Sequence, residues 1–214
     1  MRTLSFEETE SLLEKYRLPQ ARFFASNDPE AIVQQAQFLE KPLVLKGLSS
    51  QVLHKTEKKM ILLNLWDERE VRGGIGALSG RAADQGVSID HFLLQEQKSG
   101  AEFIIGGKRD PSFGPVLLFG FGGIYAELLK DFAVRVCPVD PAGVKEMMRS
   151  TKAGLFFSEN GFRGIKASES LVAEMLSQTA RLLMENKNVV ELDFNPVIAS
   201  TNNASIVDAR IIVD

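Results

Sequence analysis

Two strand-like segments at the end of the chain carry side-chain oxygens among apolar residues. The stretch "ELDFNPVI" alternates apolar and polar residues, which puts Asp193 and Asn195 on the face opposite its leucine and phenylalanine. The following segment, "VDARII", contains Asp208 and Arg210. Burying an unpaired carboxylate is costly, so these oxygens are expected to face water or something positive.

The break "STNNAS" between the two segments predicts a hairpin turn at residues 201–203. Residues whose numbers sum to about 403 to 405 would then lie opposite each other, which brings Asn195 close to Asp208. An amide oxygen and a carboxylate suit Mg²⁺, which uses one or two protein oxygens together with water and substrate phosphates. The alternative is that Asp193 and Asp208 pair with Arg210 or a lysine on a solvated sheet face.

Two further segments could approach a ligand. In "GPVLLFGFGG", the glycines 120, 122 and 123 leave the backbone bare, and Glu127 follows shortly after. Lys46 ends the apolar strand "KPLVLKG", so its ammonium must reach water or an anion such as a phosphate. Glycine-rich bends between strands are usually just tight turns, and an acidic neighbour would satisfy the lysine.

His54 lies in the polar connector "SSQVLHKTEKK", beside Lys55, Lys58 and Lys59. A neutral imidazole can act as a nucleophile toward a phosphoryl group, and nearby ammonium groups would stabilise the charge that is transferred. The alternative is an exposed loop histidine without a task. The only other histidine, His91, adjoins an apolar strand and is assigned to the fold.

Composition limits the classes of partner. The chain has 214 residues and a net charge of -3, without a basic stripe for nucleic acid. Its single cysteine, Cys137, excludes an internal disulfide and a cysteine zinc cluster, as expected in a reducing cytoplasm. No apolar run approaches the ~20 residues that span a bilayer. We therefore expect a cytoplasmic protein that binds neither nucleic acid nor membrane.

The order of elements predicts an α+β protein with mainly antiparallel sheets. Ser5 and Glu8 form a capping box for a first helix, and Asp28 with Pro29 begins a second. A helix with low propensity covers "DEREVRGGIGALSGRAADQG", and two further helices precede the final hairpin. The predicted strands in between are "PLVLKGL", "MILLNLWD", "HFLLQEQ", "AEFIIGG", "GPVLLFGFG" and "FAVRVCPV". We expect two lobes that divide near Asp90, covering residues 1–90 and 91–214.

Taken in order, these motifs resemble the ATP-grasp domain of the NDP-forming acyl-CoA synthetases. The resemblance covers "PLVLKGLSSQVLHKT", the long block "GGKRDPSFGPVLLFGFGGIYAELLKD", "ELDFNPV" and "VDARI". In the ADP-forming acetyl-CoA synthetases this domain is the β subunit. The resemblance implies an ATP-grasp fold, with two α/β subdomains and a nucleotide cleft between them.

The resemblance also implies a role for each matching residue. Lys46 would contact nucleotide phosphates, Gln95 and Glu96 would receive adenine and ribose, and Glu102 would be an acid of the nucleotide cleft. Asn195 and Asp208 would be the oxygen ligands of Mg²⁺, and Arg210 would lie beside the transferred phosphoryl group. His54 would relay a phosphoryl group between the nucleotide and the other half of the enzyme.

The implied reaction converts acyl-CoA, ADP and phosphate into acid, ATP and CoA. Because phosphoryl transfer mainly requires alignment and neutralisation of charge, a metal, a lysine and an arginine are the expected parts. Nothing in the chain resembles the CoA-binding and ligase domains that the full reaction needs. A CoA-binding partner subunit or domain is therefore implied, with ATP or ADP and Mg²⁺ as cofactors.

The sequence departs from the family pattern at one place. Relatives usually carry a glycine pair after the "HKT" motif, where this chain has Lys59 and Met60. Side chains at these positions could block the approach of phosphates. Alternatively, the positive charges of Lys58 and Lys59 could take the place of the backbone amide donors that a glycine pair would offer. The alternative function is therefore a regulatory nucleotide-binding module without turnover. A carboxylate-activating ligase of another kind on the same fold is a third possibility, which the "HKT" motif disfavours.

Overall fold

The computed structural model describes residues 1–49, 60–123 and 131–214, which form two compact units. The larger unit comprises residues 1–20 together with 98–214, and the smaller unit comprises residues 21–97. Each unit contains one antiparallel sheet with helices packed on it. The α+β class and the predominance of antiparallel strands are confirmed.

The smaller unit is a four-stranded sheet in the order β2-β5-β3-β4. Its elements are β2 (Phe23–Ser26), α2 (Pro29–Gln35), a 3-10 turn (Ala36–Phe38), β3 (Leu43–Leu48), β4 (Ile61–Leu65), α3 (Glu68–Asp84) and β5 (His91–Glu96). The two helices cover one face of the sheet, and apolar residues of β3 and β5 meet them in a buried cluster.

The larger unit is built on a seven-stranded sheet, ordered β1-β11-β9-β6-β7-β8, with β10 paired to β9. Its strands are β1 (Arg2–Thr3), β6 (Ala101–Asp110), β7 (Gly114–Phe121), β8 (Phe132–Val136), β9 (Val189–Ala199), β10 (Ala204–Ile206) and β11 (Ala209–Val213). Its helices are α1 (Phe6–Lys15), α4 (Pro141–Arg149), a 3-10 turn (Lys152–Phe157) and α5 (Glu169–Glu185). The core lies between the sheet and these helices.

Local signals explain where the helices begin. Ser5 and Glu8 form the predicted capping box of α1, and the Asp28 side chain accepts the N–H of Glu30 at the start of α2. These caps satisfy backbone donors that have no partner inside the helix. Among the glycines of α3, Gly74 allows a close approach to the sheet: a Cβ there would lie 3.1 Å from both Leu45 Cδ2 and Leu62 Cδ1.

The two units have different boundaries from the predicted division near Asp90. Residue pairs Arg2↔Val213 and Thr3↔Ile212 join β1 to the last strand, so the N-terminal segment belongs to the larger unit. The strand β5, which begins at His91, lies inside the smaller sheet and pairs with both β2 and β3. Both differences arise from pairings between strands that are distant in sequence.

Among the described residues, none of the helices is long and apolar enough to cross a bilayer.

Candidate functional site

The C-terminal strands form the predicted hairpin in the predicted register. Arg210 lies opposite Asp193, and Ala209 lies opposite Phe194. One step further, the main-chain N–H of Asn195 donates to the carbonyl oxygen of Asp208 over 3.1 Å. Since Phe194 points into the core, Asn195 belongs to the opposite face of the sheet. An amide and a carboxylate are therefore neighbours across two strands.

Asp193 lies on the same face of the sheet as Asn195, but the sequence motifs did not assign it to the metal site. Its Oδ1 is buried and has no hydrogen-bond partner among the described residues. Burial raises the pKa of the Asp193 carboxyl, the nearby carboxylates of Asp208 and Glu191 raise it further, and Arg210 opposes them. A buried acceptor without a donor is uncommon in a folded protein and indicates an absent ligand, ion or water.

Asp193→Asn is expected to raise Tm at pH 7. Because the pKa of Asp193 is higher in the folded than in the unfolded protein, stability falls as pH rises from the ordinary value of 3.8 through the raised value. The variant has no carboxyl group to ionise at this position, so the difference in Tm between variant and wild type should shrink as pH falls toward 3.8. Thermal melts between pH 4 and 8 would measure the difference. Asp214→Asn, on the exposed C-terminus, is the control, and a pH-independent difference would contradict the prediction.

Glu102 lies on β6 next to the glycine turn that ends β7. The main-chain N–H of Gly122 donates to the carbonyl oxygen of Glu102 over 2.9 Å. A Cβ on Gly122 would lie 2.3 Å from the carbonyl oxygen of Phe103, so only glycine fits there. The next N–H, that of Gly123, donates to Asn195 Oδ1 over 2.8 Å. Burial raises the pKa of the Glu102 carboxyl. The glycines thus connect an acid on β6 with the amide on β9.

The donor set at the hairpin fits Mg²⁺ bound together with phosphates. Within the described ranges, no group of three or more His, Cys, Asp or Glu side chains could hold a metal ion by itself. Asn195 and Asp208 would supply two oxygens, and Mg²⁺ commonly takes its remaining ligands from water and substrate phosphates. The buried, unpartnered Oδ1 of Asp193 adds negative potential on the same face.

In the smaller unit, Lys46 and Gln95 share one face of the sheet. Lys46 lies opposite Leu93 in the register, and Gln95 follows Leu93 by two residues. The neighbouring Leu45 and Leu94 belong to the core cluster on the helical side, so Lys46 and Gln95 are on the side away from the helices. Only 4% of Lys46 and 3% of Gln95 is exposed. Gln95 Oε1 is buried without a hydrogen-bond partner in the described part of the chain.

Glu96 has partners of its own inside the smaller unit. Its Oε1 accepts the main-chain N–H of Glu40 over 3.1 Å and lies 3.6 Å from Nη1 of Arg22. Its main-chain N–H donates to the carbonyl oxygen of Arg22. Of the two residues predicted to receive adenine and ribose, Gln95 therefore has the acceptor atom that is left for a ligand.

Met60 is turned away from the face that carries Lys46. The residue pairs with Gly47, whose N–H donates to the Met60 carbonyl oxygen over 2.9 Å. Gly47 lies opposite Phe92, so a Cβ on Gly47 would point to the same side of the sheet as the Phe92 side chain. The Cε atom of Met60 lies 2.9 Å from the place that this Cβ would take. Met60 therefore packs toward the helical side of the sheet, away from Lys46.

The structure groups the described candidates into two sets. Glu102, Asn195, Asp208 and Arg210 belong to the sheet of the larger unit, and Lys46, Gln95 and Glu96 belong to the sheet of the smaller unit. His54, Lys59 and Glu127 lie outside the described residues.

Comparisons with known proteins agree with this arrangement of strands. The model of the ATP-grasp domain matches residues 1–213. The β subunit of the ADP-forming acetate–CoA ligase I of Pyrococcus furiosus is 31% identical over 216 residues, covering 99% of this chain and 92% of that subunit. The ADP-forming acetate–CoA ligase II of Archaeoglobus fulgidus is 32% identical over 96% of this chain, which spans only 30% of that longer protein.

Among solved structures, the dinucleotide-forming acetyl-coenzyme A synthetase 1 of Ca. Korarchaeum cryptofilum is similar with a TM-score of 0.82 and 33% identity. The match covers 99% of this chain and 93% of that one. That complex contains coenzyme A and Mg-AMPPCP, with its phosphohistidine segment pointing towards the nucleotide-binding site. From the match over residues 1–213 and the identity to the β subunit, the chain belongs to the ATP-grasp family, among the ADP-forming acyl-CoA ligases.

Proposed function

We propose that the chain is the nucleotide-binding subunit or domain of an ADP-forming acyl-CoA synthetase. The observation that carries this proposal is the pairing of Asn195 with Asp208 across the C-terminal hairpin, on the face that also holds Arg210. The similarity to a β subunit over 92% of its length supports the same function. The overall reaction would convert acyl-CoA, ADP and phosphate into acid, ATP and CoA.

Each set of side chains would have its own role in binding the nucleotide. Lys46 would neutralise phosphate oxygens, and Gln95 Oε1 would accept a hydrogen bond from the base. Asn195 and Asp208 would hold the metal, and Arg210 would stabilise charge on the phosphoryl group in transit. When bound, Mg²⁺ would neutralise negative charge on the phosphates.

His54 would carry the phosphoryl group between the two halves of the enzyme. In the direction of ATP formation, an imidazole nitrogen of His54 accepts the phosphoryl group from the partner, and the bond between phosphorus and the donor atom breaks. A terminal oxygen of the ADP β-phosphate then attacks phosphorus, which breaks the P–N bond and frees the imidazole. The lysines that follow His54 in sequence would offset the charge in transit.

A second chain or domain would supply the CoA and acid sites. The longer relative from Archaeoglobus fulgidus, of which this chain spans 30%, has room for such domains. The β subunit from Pyrococcus furiosus has nearly the length of this chain. We therefore propose a CoA-binding partner subunit or domain. We also propose a cytoplasmic location, with no role for nucleic acid or membrane.

Calorimetry on the full chain would test nucleotide binding first. We expect ADP to bind in the presence of Mg²⁺ and to bind at least tenfold more weakly in EDTA, because two oxygen ligands act only through the metal. Addition of the CoA-binding partner, acyl-CoA and phosphate should then produce ATP. Binding without ATP formation would favour the regulatory module, and an absence of Mg-ADP binding would overturn the proposed function.

A further inference from the structure

The glycine turn after β7 contacts the proposed metal ligand Asn195 through a backbone donor. The N–H of Gly123 donates to Asn195 Oδ1 over 2.8 Å, although the residues are 72 positions apart in the chain. We propose that Gly123 is a positioning residue that fixes which atom of the Asn195 amide faces the metal. This inference rests on the proposed function, because it concerns the same Mg²⁺ site.

The two ends of a side-chain amide differ in what they can bind. The oxygen Oδ1 can bind a cation, whereas the Nδ2 group carries two hydrogens and repels one. The N–H of Gly123 requires an acceptor, and a flipped Asn195 amide would instead place its own Nδ2–H groups against this N–H. A carbonyl oxygen has two lone pairs, and Oδ1 can therefore accept from Gly123 and still bind a metal ion. The hydrogen bond selects the orientation that binds Mg²⁺.

Two observations explain why residue 123 is a glycine. Its φ is +60°, in the left-handed region that side chains disfavour. A Cβ at this position would also lie 1.8 Å from Glu102 Oε2. The bare α-carbon therefore lets the Glu102 carboxylate and the Asn195 amide approach the same turn. An alanine would displace the carboxylate or shift the N–H that holds Asn195.

The expected effect of Gly123→Ala is a selective loss of metal affinity. Loss of a partner that orients a metal ligand typically weakens metal binding by about 10- to 100-fold. We expect this loss for Mg²⁺ titrated into the protein saturated with ADP. The affinity for ADP in EDTA should fall much less than the affinity for Mg²⁺, because Asn195 acts only through the metal.

Gly114→Ala is the matched control for backbone strain. Gly114 begins β7, the strand that the turn with Gly123 follows; it has a φ of +76° and would place its Cβ in open space. Both alanine variants therefore adopt a left-handed conformation, but only the variant at 123 disturbs Asn195. Equal losses of Mg²⁺ affinity in the two variants would overturn the proposal.

A double-mutant cycle separates positioning from a general structural effect. If Gly123 acts through Asn195, then Gly123→Ala should cause no further loss of Mg²⁺ affinity in an Asn195→Ala background. Additive losses, or an unchanged Mg²⁺ affinity in the single variant Gly123→Ala, would contradict the inference. Failure of the wild-type protein to bind Mg-ADP would instead reject the proposed function.

NMR on the wild-type protein tests the same contact if Gly123→Ala does not fold. A scalar coupling between the Gly123 amide nitrogen and the Asn195 Cγ would report the hydrogen bond directly. The coupling should persist when Mg²⁺ is added to the ADP complex, and the Gly123 amide resonance should shift. A missing coupling, or a resonance that does not respond to Mg²⁺, would overturn the inference.

Discussion

Asp208→Asn is expected to weaken the binding of Mg-ADP by about 100-fold, which corresponds to roughly 2.8 kcal/mol. The substitution keeps the size of the side chain but removes the full negative charge from one of two proposed metal ligands. Hard cations such as Mg²⁺ bind carboxylate oxygens much more strongly than neutral amides. Calorimetry with ADP in Mg²⁺ and in EDTA would measure the effect, which should vanish without the metal.

Asp214→Asn is a suitable control for the loss of charge. Asp214 is exposed and directly follows β11, the strand that Asp208 precedes, so the net charge of the unit changes equally. We expect this control to bind Mg-ADP within about twofold of the wild type, since exposed charges are screened at physiological salt. If Asp208→Asn binds Mg-ADP as tightly as the control does, the proposed metal site is wrong.

His54→Ala is expected to abolish acyl-CoA-dependent ATP formation in the complex with the CoA-binding partner. Without an imidazole nucleophile, the proposed relay has no atom to carry the phosphoryl group. Binding of Mg-ADP should remain, because the proposed nucleotide ligands are other residues. Incorporation of ³²P from γ-³²P-ATP into this chain provides the second measurement and should fall to background in the variant.

His91→Ala is the matched control, since the chain has two histidines. His91 is exposed at the start of β5 and has no proposed role in the transfer. We expect this variant to retain labelling and turnover. Labelling of His54→Ala at the wild-type level would remove the relay from the mechanism and leave nucleotide binding as the function.

The importance of Asp193 could not be predicted from the alternation of its strand. Alternation places Asp193 and Asn195 on the same face, but it does not tell which carboxylate is buried without a donor. Burial depends on the packing of neighbouring strands and side chains. The preference for Gln95 over Glu96 has a similar origin, because the contacts of Glu96 with Glu40 and Arg22 come from other parts of the chain.

The sequence by itself determined the local features of this protein. Capping residues fixed the starts of α1 and α2, and the turn after β9 fixed a register that brings Asn195 beside Asp208. These features depend on hydrogen bonds and side-chain periodicity within a few residues. The family motifs, read in order, also identified the ATP-grasp fold.

The tertiary structure decided the features that join distant parts of the chain. Examples are the pairing of β1 with β11, the orientation of Met60 and the hydrogen bond from Gly123 to Asn195. A lone glycine in the sequence is compatible with a turn, a bulge or a close approach, and only its neighbours in space distinguish these. Contacts between remote residues depend on how whole sheets assemble, which local propensity does not encode.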